Sequence, residues 1–213
     1  VHTMWFLDID GPINGASRCG WHAPPRRFTM IASGPITLTI RYSPELIERI
    51  RQADRRAEVV WCSTWCGFPA DLKVLSDRLG LHLYSSLPAE RPAHLTWGDL
   101  KTAAVRKAVL SGARVVWTDD DEVDAARNLF PELREAERDG RALLIQPDSN
   151  RGLRPEDMDR IDAFITAGHT CPACPQECPS CTHDMADCEC YDHQNYYDEK
   201  ILPGTLAPPS TRG

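Results

Sequence analysis

Apolar residues along this chain fall into short blocks with two different periods. Met4 to Leu7, Val59 to Cys62, Val115 to Trp117 and Ala142 to Ile145 are continuous apolar runs bounded by polar residues. Runs of that length predict strands buried on both faces of a parallel sheet. Between them the period lengthens to that of a helix. Leu46, Ile47, Ile50 and Ala53 share one face of a helix that starts at the N-cap Ser43, with Pro44 in its first turn, and runs to about Arg56. Ala70 to Leu79 predicts a second helix, stopped by Gly80. Leu100 to Leu110 predicts a third, capped by Asp99 and ended by Ser111-Gly112. Ala125 to Arg138 reads as helical with a break or kink at Pro131, and Pro155 to Ala167 as a last helix whose core face is Met158, Ile161 and Ile165. Leu81 to Tyr84 reads as one more strand. Strands alternating with helices define a three-layer α/β domain over residues 1–168 with a parallel central sheet.

One stretch departs from the alternation. Pro12 to Gly34 is irregular, punctuated by glycine and proline and carrying Arg26-Arg27, and it gives way to Pro35–Tyr42, which alternates like a half-exposed strand. This predicts a flap or hairpin over the strand ends, too short to be an independent cap domain.

Length and charge narrow the picture. A chain of 213 residues holds one domain with a full core and an appendage. A net charge of −7 and a pI near 5.5 argue against a broad basic surface for nucleic acid or anionic membrane and leave room for a local basic groove. No apolar run approaches a membrane span, and the first one meets Asp8 within a few residues, unlike a signal peptide. The expectation is a cytoplasmic protein with reduced thiols and no membrane partner.

The candidate chemistry lies where buried strands end. The first strand stops at Asp8-Ile9-Asp10-Gly11, and Gly11 would let the backbone turn beside a small charged ligand. Carboxylates so close to a buried strand need a cation or hydrogen bonds, and a divalent metal is the economical partner. The second apolar run ends in Ser63-Thr64, hydroxyls suited either to a phosphate or to capping the next helix. The strand ending at Thr118 delivers Asp119 and Asp120, with Asp121 and Glu122 belonging to a helix start. Lys101, in the first turn of its expected helix, sits where the helix dipole disfavours a cation, a conflict that a negative neighbour would remove. His82 and His94 have no partner motif and read as surface or structural residues. Trp5, Trp61 and Trp117 read as core, whereas Trp21 and Trp65, with Arg26 and Arg27, are placed along the approach to the strand ends.

These four segments, in this order, resemble the haloacid dehalogenase (HAD) superfamily of phosphohydrolases and phosphotransferases. Its first motif is matched by Asp8-Ile9-Asp10-Gly11, its second by Ser63 with Thr64 as rival, its third by Lys101 and its fourth by Asp119-Asp120. The end of the core, from Gln146 to Asp157, together with Trp61 to Trp65, is similar to small actinobacterial and phage members, some of them phosphatase domains of RNA-repair proteins. Pro12 and Ser63 depart from the commoner residues of the superfamily without removing a functional atom. The resemblance implies a Rossmann-like fold with a minimal cap. It implies Asp8 as nucleophile through an aspartyl-phosphate, Asp10 as general acid and base, and Gly11, Ser63, Thr64 and Lys101 around the phosphoryl oxygens. Mg²⁺ would be held by Asp8, the Asp10 backbone carbonyl, and Asp119 or Asp120. An open site of this kind would admit a phosphorylated substrate as large as a nucleotide or a nucleic-acid end.

After Gly168 the composition changes. Six of the nine cysteines lie between Cys171 and Cys190. Cys171, Cys174, Cys178 and Cys181 form two C-x-x-C pairs, a spacing that brings both thiolates of a pair to one tetrahedral ion, and Cys188, Cys190, His183 and His193 add four more potential ligands. Residues 169–201 therefore read as a zinc-stapled segment, with disulfides or an unstructured redox-sensitive tail as the alternatives. Such a segment offers a surface for a protein partner, and a zinc-bearing interaction protein with a catalytically weak HAD fold is the competing function. Residues 202–213, rich in proline and small polar residues, read as disordered.

Overall fold

A computed structural model describes residues 2–15, 20–32 and 37–168. The cysteine and histidine ligand set expected between Cys171 and His193, and the disordered segment expected over residues 202–213, lie outside the described residues.

Five parallel strands form the main sheet: β1 (Thr3–Leu7), β4 (Glu58–Trp61), β5 (Tyr84–Ser85), β6 (Arg114–Thr118) and β7 (Ala142–Ile145), side by side in the order β5-β4-β1-β6-β7. A separate antiparallel hairpin pairs β2 (Arg26–Ile31) with β3 (Thr37–Tyr42). The crossovers carry α1 (Pro44–Asp54), a 3₁₀ turn (Thr64–Gly67), α2 (Pro69–Leu79), α3 (Trp97–Leu110), α4 (Val123–Leu129), α5 (Pro131–Arg138) and, after β7, α6 (Pro155–Gly168). α1 packs with α6 and α3 with α5, which supplies a helical layer for each face of the sheet. The chain is thus an α/β fold with a parallel sheet, compatible with a Rossmann-like architecture.

The strands are continuous apolar runs because both faces are covered. Trp5, Trp61 and Trp117 are almost wholly enclosed. Trp5 Nε1 donates to Thr118 Oγ1 at 3.0 Å and Trp61 Nε1 to Ser76 Oγ at 3.2 Å, so two of the three indoles meet their polar need inside the core.

Strand order reverses between β1 and β6, since the chain works outward through β4 and β5 and then returns to the other side of β1. Crevices at the carboxyl ends beside such a reversal are where open α/β sheets bind ligands. The register puts three strand ends level: Leu7 pairs with Trp61 on one side and with Thr118 on the other. Asp8, Cys62-Ser63 and Asp119 therefore leave the sheet together.

Three local expectations change. The third helix starts at Trp97, because Thr96 is its N-cap and closes a reciprocal capping box with Asp99. Asp99 is the third helical residue, and Lys101 moves into the second turn, away from the strongest part of the dipole. The strand expected at Leu81–Tyr84 shrinks to Tyr84–Ser85. The Leu81 N–H bonds Ser76 O in the cap that ends α2 at the left-handed Gly80, so it is unavailable to the sheet. Arg26–Ile31, expected to be irregular, is instead the first strand of the hairpin.

The loop after β1 is held by the turn after β7. Gly152 has φ +66°, and a Cβ there would lie 2.8 Å from Pro12 O, while the Leu153 N–H donates to that same oxygen at 2.9 Å. Gly152→Ala is expected to cost about 1–2 kcal/mol from the left-handed backbone alone, and more from the contact, measured as a lower midpoint in urea unfolding. An unchanged midpoint would show that the loop is not braced there.

Candidate functional site

Four charged side chains converge beside the β1/β6 reversal. Lys101 Nζ donates to Asp8 Oδ2 at 2.6 Å and to Asp119 Oδ2 at 2.7 Å, with all three residues buried. The other oxygens are also engaged. Asp8 Oδ1 accepts from the Ile9 N–H at 2.7 Å, and Asp119 Oδ1 accepts from the N–H groups of Asp121 and Glu122 at 3.0 Å each. Asp120, half-buried, packs against the glycine of the first loop. Gly11 has φ +75°, and a Cβ on it would lie 2.1 Å from Asp120 Cγ, so only glycine lets the two loops share a wall.

Burial pushes the Asp8 carboxyl up to about 7; Lys101 opposes that rise, Asp119 adds to it, and Lys101 and Ser63 oppose it further by hydrogen bonds. Burial likewise lifts Asp120, aided by Asp121 and Asp119, to about 6. For Lys101 burial works the other way and is outweighed by the two carboxylates, so its pKa rises and it stays charged.

Carboxylate oxygens of Asp8, Asp119 and Asp120 lie within 4.8 Å of one another. Three ionised carboxylates against one ammonium leave two negative charges on a set of hard oxygen donors, which fits a divalent cation such as Mg²⁺. The Asp10 carboxylate is not part of that trio. It is exposed, its Oδ2 accepting from Trp65 Nε1 at 2.8 Å and its Oδ1 from Asn14 Nδ2 at 2.9 Å. The two aspartates of the first loop therefore sit in different surroundings, one buried against a cation and one open and held by neutral donors.

Ser63 is buried, hydrogen-bonds Asp8, and caps the 3₁₀ turn by accepting from the Trp65 N–H at 3.4 Å, the capping use expected of it. Thr64 is exposed. Trp65, placed on the approach by its sequence position, is instead buried at 7 % exposure, with its indole N–H donating to the exposed Asp10 carboxylate. Trp21 is half-buried and donates to Leu153 O. The sequence reading missed Asn14 and the role of the Trp65 N–H; a lone asparagine in a glycine-rich loop carries no spacing signal. Cys62 and Cys66 are free and buried, and burial raises both thiol pKa values. His82 and His94 are exposed, as expected.

No helix among the described residues is long and apolar enough to cross a membrane. Comparisons of the chain with family models, with curated proteins and with solved structures find no match in any of the three.

Lys101 keeps two buried carboxylates compatible with folding. The raised Asp8 pKa means that the native state retains a proton the unfolded chain has released, so stability falls as pH rises between about 4 and about 7. Lys101→Met should lose about 3–5 kcal/mol at pH 8, and the loss should shrink toward pH 5 as the unpartnered carboxylates take up protons. Urea unfolding at the two pH values checks this, and a pH-independent loss would contradict the coupling.

Proposed function

We propose that the chain is a Mg²⁺-dependent phosphohydrolase of HAD type that works through an aspartyl-phosphate, with an open site suited to nucleotide or nucleic-acid-end phosphates. The reading rests on one observation, the convergence of Asp8, Lys101, Asp119 and Asp120 at the strand reversal with Asp10 held apart two residues on. A purely structural ion pair would need neither the third carboxylate nor the separately oriented fourth.

In this mechanism an Asp8 carboxylate oxygen attacks phosphorus, and the bond to the leaving oxygen breaks. Asp10, protonated, gives its proton to that oxygen. It then takes a proton from the water that attacks the aspartyl-phosphate, which regenerates Asp8 and releases phosphate. Trp65 Nε1 and Asn14 Nδ2 fix the Asp10 carboxylate, and its exposure lets it meet both leaving group and water. Lys101 holds Asp8 in orientation, and with the Ser63 hydroxyl it faces the oxygens of the transferring group. Asp8, Asp119 and Asp120 would hold the divalent cation, which when bound offsets charge on the phosphoryl oxygens and favours the ionised form of Asp8.

Asp8→Asn should abolish phosphate release from p-nitrophenyl phosphate, and a chelator should do the same to the unsubstituted protein in a way that added Mg²⁺ reverses. Activity that persists in Asp8→Asn would remove the nucleophile assignment. Trp65→Phe keeps the ring and deletes the donor to Asp10. It should slow hydrolysis of alkyl phosphates, whose poor leaving groups need a proton, by roughly 10²-fold, and aryl phosphates far less. Equal losses on both would mean that Trp65 only supports packing.

A further inference from the structure

The exposed face of the β2–β3 hairpin carries an arrangement that folding alone does not favour. Arg27 and Arg41 are direct cross-strand partners, and both are exposed. The Arg41 N–H points away from β2, donating to Asn14 Oδ1 at 2.9 Å. The Arg27–Arg41 pair is thus of the non-hydrogen-bonded kind, in which side chains stand closest. Like charges placed directly opposite each other are destabilising. Neither guanidinium has a carboxylate partner among the described residues, although the chain is acidic overall. Next on the same face stand Thr29 and Thr39, also direct partners and also exposed. A pair of guanidiniums beside a pair of hydroxyls is a surface rich in donors and suited to an anion, and the bidentate fork of arginine matches a phosphate.

The hairpin is tied to the site by two hydrogen bonds in series, from the Arg41 N–H to Asn14 Oδ1 and from Asn14 Nδ2 to Asp10 Oδ1, each 2.9 Å. These bonds set the β3 edge of the hairpin, at Arg41, beside the loop that carries Asp10, the side on which a leaving group would depart.

Resting on the phosphohydrolase reading, we propose that Arg27 and Arg41 form a subsite for a second phosphate carried by the leaving group. The substrate class is then a phosphomonoester with a further phosphate beside the scissile one, as in a nucleoside 3′,5′-bisphosphate or the phosphorylated end of an oligonucleotide. Arg27 and Arg41 are specificity residues in this scheme and take no part in bond breaking.

The test compares a nucleoside 3′,5′-bisphosphate with the corresponding monophosphate in the full chain and in the Arg27→Ala/Arg41→Ala double variant. Turnover is measured as separate kcat and KM, and equilibrium binding is measured in the Asp8→Asn background. The expected result is a preference for the bisphosphate that falls at least tenfold in the double variant, carried by KM, with the same loss in binding. Arg27→Lys/Arg41→Lys should restore it in part. A preference that is absent, or unchanged by the double alanine variant, overturns the subsite. If neither compound is turned over, the phosphohydrolase reading fails, and the binding ratio in the Asp8→Asn background still decides the subsite by the same criterion. A 3′- or 5′-phosphorylated oligonucleotide that outcompetes the bisphosphate would support the subsite and assign the second phosphate to a nucleic-acid strand; the reverse order would support it and assign that phosphate to a free nucleotide.

Discussion

One ammonium between two carboxylates is the interaction on which the centre of this molecule depends. Lys101 reaches from α3 to Asp8 at the end of β1 and to Asp119 at the end of β6, and all three are shielded from water. Two buried carboxylates on adjacent strands would otherwise oppose the pairing of those strands. The same contact joins elements far apart in the chain, Lys101 and Asp8 being 93 positions apart. Charge neutralisation and topology are one problem here: β6 can lie beside β1 because α3 delivers a cation to their shared end.

Much of the architecture was legible because burial on both faces leaves a strong mark. Val59–Trp61 and Val115–Trp117 had to be apolar throughout, and abrupt stops at Asp8, Ser63 and Asp119 marked where the chain left the sheet. Less legible were features set by exchange of partners. Asp99 reads as an N-cap from its residue type, whereas in the structure Thr96 is the cap and Asp99 closes the box with it. Leu81 looked like a strand residue because its side chain is buried, yet its N–H serves the end of α2. Arg26–Ile31 was hidden because its alternation is broken at both ends: Arg26 falls in phase with Phe28 and Met30, and the apolar Ile31 is exposed.

The candidate site divides in the same way. Asp8, Asp10, Asp119 and Asp120 could be named from strand-end placement and Lys101 from its place near a helix start, and the structure brings four of the five together with Asp10 at the rim. Asn14 and the Trp65 N–H could not, since each acts through a single hydrogen bond that depends on how the first loop folds back on itself. Trp65 makes the point most clearly. An indole has an apolar face and one polar edge, and composition does not say which will be used.

The burial of Cys62 next to this centre has a practical side. Its thiol is enclosed and its pKa raised, and Cys66 shares both properties, so neither readily forms the thiolate that alkylating reagents or disulfide exchange require. Rapid labelling of the intact protein by a maleimide would accordingly bypass these two thiols. Cys62 and Cys66 stay silent in such an experiment until the core around them opens, which makes this pair an internal clock for unfolding.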